Sequence, residues 1–169
     1  MQFSIRPVRL EDAEDYTACH IACWRAAYQG IVSDQYLDAM QAEQQQRTEQ
    51  LRQSLLNPGS SQFYCLVDGS QMIGRLIIGK SRDDDLAQAG EVTAIYLLPE
   101  YWGQGLGRML MDFAVNTLRQ SGYQQIILWV LQLNSRARRF YERYGFVADG
   151  QAKSIELGRP LVQMRYRLD

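Results

Sequence analysis

The sequence predicts a mixed α/β domain, one sheet with helices packed on it, from three observations. Short apolar runs alternate with longer segments whose apolar residues recur at helical spacing. The run "IILWVL", Ile126 to Leu131, is apolar on both faces, as a central strand covered by helices must be. Glycine or proline marks most of the junctions between segments.

The elements follow in order. "FSIRP" is a first strand stopped by Pro7, and Glu11 to Tyr28 a helix, with Ala13, Tyr16, His20 or Ala22, and Trp24 spaced for one face. A second helix runs from about Asp34 to Leu56 and ends before the breaker "NPGSS". "QFYCLVDGSQMIGRLIIGK" is a hairpin turning at Asp68-Gly69. After the loop "SRDDDLAQAG", Glu91 to Leu98 is a strand ended by Pro99. Beyond a glycine cluster, Leu106, Leu110, Phe113, Ala114 and Leu118 carry helical spacing up to Gly122. Asn134 caps a helix to Tyr144, which Gly145 stops, and "FVADG" and "LVQMRYRL" close the chain as strands. The order is β-α-α-β-β-β-α-β-α-β-β.

With 169 residues and no repeat, linker or low-complexity tract, residues 1–169 are expected to form one domain. A net charge of −1 gives no reason to expect a nucleic-acid or membrane-surface partner. The N-terminal segment has no apolar signal core, and Ile126 to Leu131 is far too short to span a bilayer. Three cysteines without framework spacing read as reduced thiols, so the expected setting is cytoplasmic. Cys19, His20 and Cys23 do not make a metal site, because His20 points off the face shared by the two cysteines.

The chemistry concentrates in "PEYWGQGLGRML", Pro99 to Leu110. A strand, a glycine turn and a helix together favour an anion, through free N–H groups and the helix dipole. Three phosphate ligands compete. A P-loop needs a lysine and a hydroxyl residue after the last glycine, and neither follows Gly107. The dinucleotide fingerprint needs G-x-G-x-x-G, and the spacing here is G-x-G-x-G. The third ligand is a pyrophosphate of the coenzyme A kind, and a plain tight turn at Gly103, Gly105 and Gly107 that binds nothing is the alternative.

At this point the sequence resembles the GNAT superfamily of acyl-CoA-dependent N-acetyltransferases. In "WGQGLG", Gly105 and Gly107 match the signature [QR]-x-x-G-x-[GA], with Trp102 in place of Gln or Arg. "NSRARRFYERYGF", Asn134 to Phe146, fills every fixed position of a second segment, N-x-x-A-x-x-x-Y-x-x-x-G-F. The resemblance spans the chain in element order, with little signal from Glu11 to Asn57. It implies a mostly antiparallel central sheet flanked by helices, acetyl-CoA as cosubstrate and no metal.

It also implies site residues. Ile95, Tyr96 and Leu97 would meet the pantetheine arm and acetyl group through their backbone, with the Leu97 N–H as oxyanion donor. Gly103, Gln104, Gly105, Leu106, Gly107 and Arg108 would hold the pyrophosphate, and Asn134 the pantetheine or its water. Tyr141 matches the residue that protonates the departing thiolate; a core tyrosine is its plainer role. Some members place a glutamate base where this chain has Trp129. Glu91 matches another glutamate position, and strand alternation puts it on one face with Thr93, Ile95 and Leu97; an ordinary strand-edge glutamate is equally consistent.

The acceptor region implied by the family holds Trp24, Tyr28, Asp34, Tyr36 and Asp38, which suit a cationic amine or plain core packing. Asp83, Asp84 and Asp85 could attract a polyamine or form a solvated loop, and Arg136, Arg138, Arg139 and Arg143 could meet the cofactor or face water. The expected activity is transfer of an acetyl group from acetyl-CoA to a primary amine of a small molecule. Acetylation of a protein N-terminus or lysine, and an acyl-CoA sensor without turnover, are the alternatives. The sequence leaves room for a homodimer.

Overall fold

The computed structural model describes residues 2–169. All strands join one seven-stranded sheet: β1 (Phe3–Pro7), β2 (Gln62–Asp68), β3 (Gln71–Lys80), β4 (Gly90–Leu97), β5 (Ile126–Leu131), β6 (Val147–Glu156) and β7 (Pro160–Leu168), in the order β1-β2-β3-β4-β5-β7-β6. Neighbours are antiparallel except β4 and β5, which are parallel. Helices α1 (Ala13–Tyr28), α2 (Asp34–Ala42) and α3 (Gln44–Leu56) cover one face, and α4 (Leu106–Gln120) and α5 (Ser135–Tyr144) the other.

The main core lies under α4. Its Leu106, Leu110, Met111, Ala114, Val115 and Leu118 recur on one side of the helix and meet Leu66, Leu76, Ile78, Val92 and Leu128 of the sheet. On the other face, α1 contributes Tyr16, whose hydroxyl donates to Leu76 O at 3.1 Å, so the one polar atom of a fully buried ring is satisfied. The helix expected from Asp34 to Leu56 is two, broken where Glu43 (φ −90°, ψ 11°) leaves helical geometry. Here the polar run "QAEQQQ" offers no apolar face that would hold one straight helix against the sheet.

A second departure shapes the site. The pairing of β3 with β4 shifts between Ile77 and Ile78, leaving Thr93 as an extra residue on β4. Strict alternation from Glu91 to Leu97 is thereby lost. Val92, Ile95 and Leu97 face the α4 core, while Tyr96 turns to α1. No described helix is long and apolar enough to cross a membrane.

Candidate active site

Strands β4 and β5 pair only at Gly90 with Ile126 and Glu91 with Ile127, and then diverge. A parallel pair that splays leaves a row of backbone groups without strand partners. The register Gly74 to Leu97, with Leu98 N–H donating to Ile73 O at 2.9 Å, turns the Ile95 and Leu97 N–H groups away from β3 and into this gap. A cavity of about 760 Å³ occupies it. Ile95, Tyr96, Leu97, Gly103, Gly105, Gly107, Arg108, Asn134 and Tyr141 all line it, so the structure brings these expected site residues together.

The glycine turn explains its own composition. Gly103 and Gly105 have φ of +75° and +81°, and a Cβ on either would meet nothing within 4 Å. Both conditions fit a concave backbone held open for a ligand: only glycine takes that conformation cheaply, and side chains would fill the space. Gly107 differs, since its Cβ would make ordinary contact with Phe140 at 3.5 Å. The first bond of α4 runs from Met109 N–H to Gly105 O at 3.1 Å, so the N–H groups before it are free to meet an anion. Arg136, Arg139 and Arg143 line the same cavity and make no ion pair among the described residues. This donor set fits a pyrophosphate and a further phosphate. Arg138 lies elsewhere, bonded to Tyr166 and to Gln132 O. Gln104 bonds Glu100 O on the outside and Leu106 is core, so neither side chain lines the cavity.

Trp102, the departure from the family signature, has a structural task. Its Nε1 donates to Leu97 O at 2.9 Å, and the Arg136 guanidinium lies 3.2 Å from its ring centroid. The indole thus ties off the carbonyl of Leu97 and leaves its N–H free. Asn134 caps α5 by accepting from Ala137 N–H at 3.1 Å, which keeps its amide at the cavity wall.

Tyr141 lies beside Phe140 and Phe146 and is 9% exposed, and burial holds its phenol well above the ordinary value. The group therefore stays protonated through the neutral range. Tyr28 and Tyr96, both on the cavity wall, bring their hydroxyls to 2.9 Å. The sequence placed Tyr28 in the acceptor region and Tyr96 on the cofactor strand but did not pair their hydroxyls, because the contact joins residues 68 positions apart.

The structure does not bring Glu91 into the cavity. Its side chain is 1% exposed, and Arg82 holds both oxygens: N–H at 3.1 Å and Nε at 3.2 Å to Oε2, and Nη2 at 2.6 Å to Oε1. The bulge at Thr93 is the physical reason that Glu91 and Leu97 do not share a face. The aspartate run is a solvated loop only in part, since Asp84 and Asp85 are exposed while Asp83 is drawn inward. Buried Arg165 pairs with Asp83 (3.0 Å), Asp85 (2.7 Å) and Asp149 (2.6 Å), and Trp129 Nε1 donates to Asp83 at 2.9 Å. Of the acceptor-region residues, Tyr28 alone lines the cavity. Trp24 and Tyr36 pack beside it, Asp38 pairs with Arg25, and Asp34 stands in the first turn of α2. No group of three or more metal-binding side chains occurs among the described residues.

The sequence model of the Acetyltransferase (GNAT) family matches residues 19–146. The uncharacterized N-acetyltransferase YuaI of Bacillus subtilis is 28% identical over 93% of this chain and 92% of that protein. A spermidine N(1)-acetyltransferase of Thermoplasma acidophilum is 25% identical, covering 86% of this chain and 89% of its own. Among solved structures, the PaiA N-acetyltransferase of Thermoplasma acidophilum in complex with coenzyme A superimposes with a TM-score of 0.77. It covers 99% of this chain and 100% of that one at 23% identity, a likeness of fold.

Proposed function

The chain belongs to the GNAT family of acetyltransferases, which use acetyl-CoA, and from that premise we propose that it acetylates the primary amine of a small molecule. One observation carries the choice of a small acceptor. The connection between α1 and α2 is clasped to the turn between β6 and β7, where Arg159 donates to Gly30 O at 3.1 Å and to Ile31 O at 2.7 Å. Leu157 and Leu161 pack there against Tyr28, Val32 and Leu37. A protein chain entering from that side would have to break the clasp, whereas a small amine needs only the cavity.

In this mechanism the amine nitrogen attacks the thioester carbon, an N–C bond forms, and the C–S bond breaks with its electron pair leaving on sulfur. The Ile95 and Leu97 N–H groups serve the carbonyls of the thioester and the arm, with Leu97 as oxyanion donor. The glycine turn, Arg108 and the unpaired arginines hold the phosphates, and Asn134 the arm. Tyr141 gives its proton to the thiolate and regains one from the proton that the attacking nitrogen loses, so the protons balance. Burial raises its pKa, and the same dry surroundings make the thiolate a stronger base, so the transfer stays near balance.

The base is a separate matter. No carboxylate among the described residues lines the cavity, so in this reading the amine enters already neutral, and Glu91 acts as the anchor of the segment that carries Arg82. An alkylamine of pKa about 10.4 is only about 0.4% neutral at pH 8, so turnover should rise steeply with pH.

The test is acetyl-CoA-dependent thiol release over a panel of small amines, lysine peptides and N-terminal peptides. Turnover confined to small primary amines is expected. Turnover confined to peptides would overturn the small acceptor, and acetyl-CoA binding without any turnover would favour a sensor.

A further inference from the structure

The acceptor end of the cavity, away from the glycine turn, is bounded by Cys23, Ala27 and Tyr28 of α1 and by Tyr96 of β4. All four are uncharged. Several acids of the flanking elements are committed elsewhere: Glu91 to Arg82, Asp83, Asp85 and Asp149 to Arg165, and Asp38 to Arg25.

The fixed charges that bear on the tyrosines here are positive, while the one acid that bears on Cys23, Glu100, is exposed and outside the cavity lining. Arg136 bears on Tyr28 and Tyr141, and Arg75 on Tyr96. Arg75 is 7% exposed, stacks 4.5 Å over the Tyr16 ring and makes no ion pair among the described residues; its Nε has no hydrogen-bond partner. His20, between Trp24 and Tyr96, is neutral, since burial and then Arg75 push its pKa down to about 2, and an imidazole supplies no negative charge in any case. A second ammonium on the acceptor would lose its hydration here and meet the Arg75 guanidinium rather than an anion, Arg136 being taken up by the cofactor's phosphates. Ring faces attract cations, but that attraction is smaller than the cost of stripping an ammonium without a counterion.

The hydroxyl pair supplies what one neutral amine needs. Two touching hydroxyls use one proton between them, which leaves one proton and several lone pairs for a ligand. Burial keeps both phenols protonated. A phenol oxygen can accept an amine N–H, and that bond turns the nitrogen lone pair away from the pair of rings and toward the thioester carbon.

Resting on the acetyl-transfer function proposed above, we infer that the touching hydroxyls of Tyr28 and Tyr96 orient the acceptor nitrogen, and that the acceptor is a monoamine with an apolar body rather than a polyamine. The acceptor would then differ from the substrate named for the 25% identical spermidine acetyltransferase. The nitrogen loses one proton overall, and the departing sulfur gains one.

The experiment compares phenethylamine and tyramine with putrescine and spermidine at fixed acetyl-CoA and pH 8. The monoamines should exceed the polyamines in kcat/KM by about ten- to a hundredfold, as expected when a buried charge lacks a partner. Tyr28→Phe and Tyr96→Phe should each lower kcat/KM for the amine by about tenfold or more, and the double variant little further, because one pair is lost in each case. The acetyl-CoA-induced thermal shift should stay at the wild-type value in all three. Spermidine turned over as well as phenethylamine would overturn the acceptor class. Unchanged amine kinetics in both single variants would overturn the orienting role. No turnover with any amine, with the acetyl-CoA shift intact, would instead remove acetyl transfer itself and this inference with it.

Discussion

Replacing Gly105 with alanine adds one methyl group at the point where the cavity needs bare backbone. Two separate costs follow. Gly105 sits at φ +81°, a left-handed conformation that costs an L-residue about 1–2 kcal/mol. For a domain of this size that lowers Tm by about 2–8 °C. The methyl itself meets no protein atom within 4 Å, so it should not disturb packing; it stands in the space open to a phosphate. Losing two charge-assisted hydrogen bonds there weakens binding by about 3 kcal/mol or more, roughly a hundredfold. At a hundredfold excess over the wild-type Kd, acetyl-CoA stabilises the wild type by about 2.7 kcal/mol, a shift of about 5–11 °C. At the same concentration the variant would gain only about 0.4 kcal/mol, a shift of about 1–2 °C.

Gly122→Ala supplies the control. Gly122 has φ +94° and equally open surroundings but lies outside the cavity, so it carries the backbone cost without the binding cost. Differential scanning fluorimetry with and without acetyl-CoA separates the two. If Gly105→Ala and Gly122→Ala both kept the full shift, the glycine turn would not hold the pyrophosphate.

Three further outcomes follow from named contacts. Tyr141→Phe should cut turnover by about 10²–10⁴-fold with the acetyl-CoA shift unchanged, because the hydroxyl makes no protein hydrogen bond among the described residues; wild-type turnover would leave Tyr141 as core. Glu91→Gln should lower the rate by about threefold or less, equally at pH 7 and pH 9.5, since the amide still accepts from Arg82; a large loss at pH 7 regained at pH 9.5 would make Glu91 the base after all. Burial lifts the phenols of Tyr28, Tyr96, Tyr141 and, to about 12, Tyr16. Below pH 10 both folded and unfolded chains keep these protons. Above it only the folded chain does, so stability should fall by up to about 1.4 kcal/mol per pH unit for each phenol, read as Tm between pH 9 and pH 12. A flat Tm over that range would contradict their burial.

What the sequence determined by itself was local. Alternating and helical apolar spacing, proline stops and glycine turns located the strands and most helices, because backbone preference and one-sided burial act over a few residues. The two motifs, Trp102 to Gly107 and Asn134 to Phe146, likewise marked the cavity wall, since a backbone cradle and a capped helix are built from consecutive residues. What depends on distant partners was decided by the tertiary structure. The bulge at Thr93 follows from the pairing of β4 with β3, and it moves Glu91 off the face of Leu97. Arg165 gathers Asp83, Asp85 and Asp149 from the loop before β4 and from β6, tying part of an apparent solvated run to a buried guanidinium. The gap that receives the ligand exists because β5 keeps its pairing with β7 while leaving β4 after two residues. The Tyr28–Tyr96 pair forms only when α1 crosses that opening. Spacing along a chain encodes which face a residue presents; it does not encode which distant side chain will be waiting there.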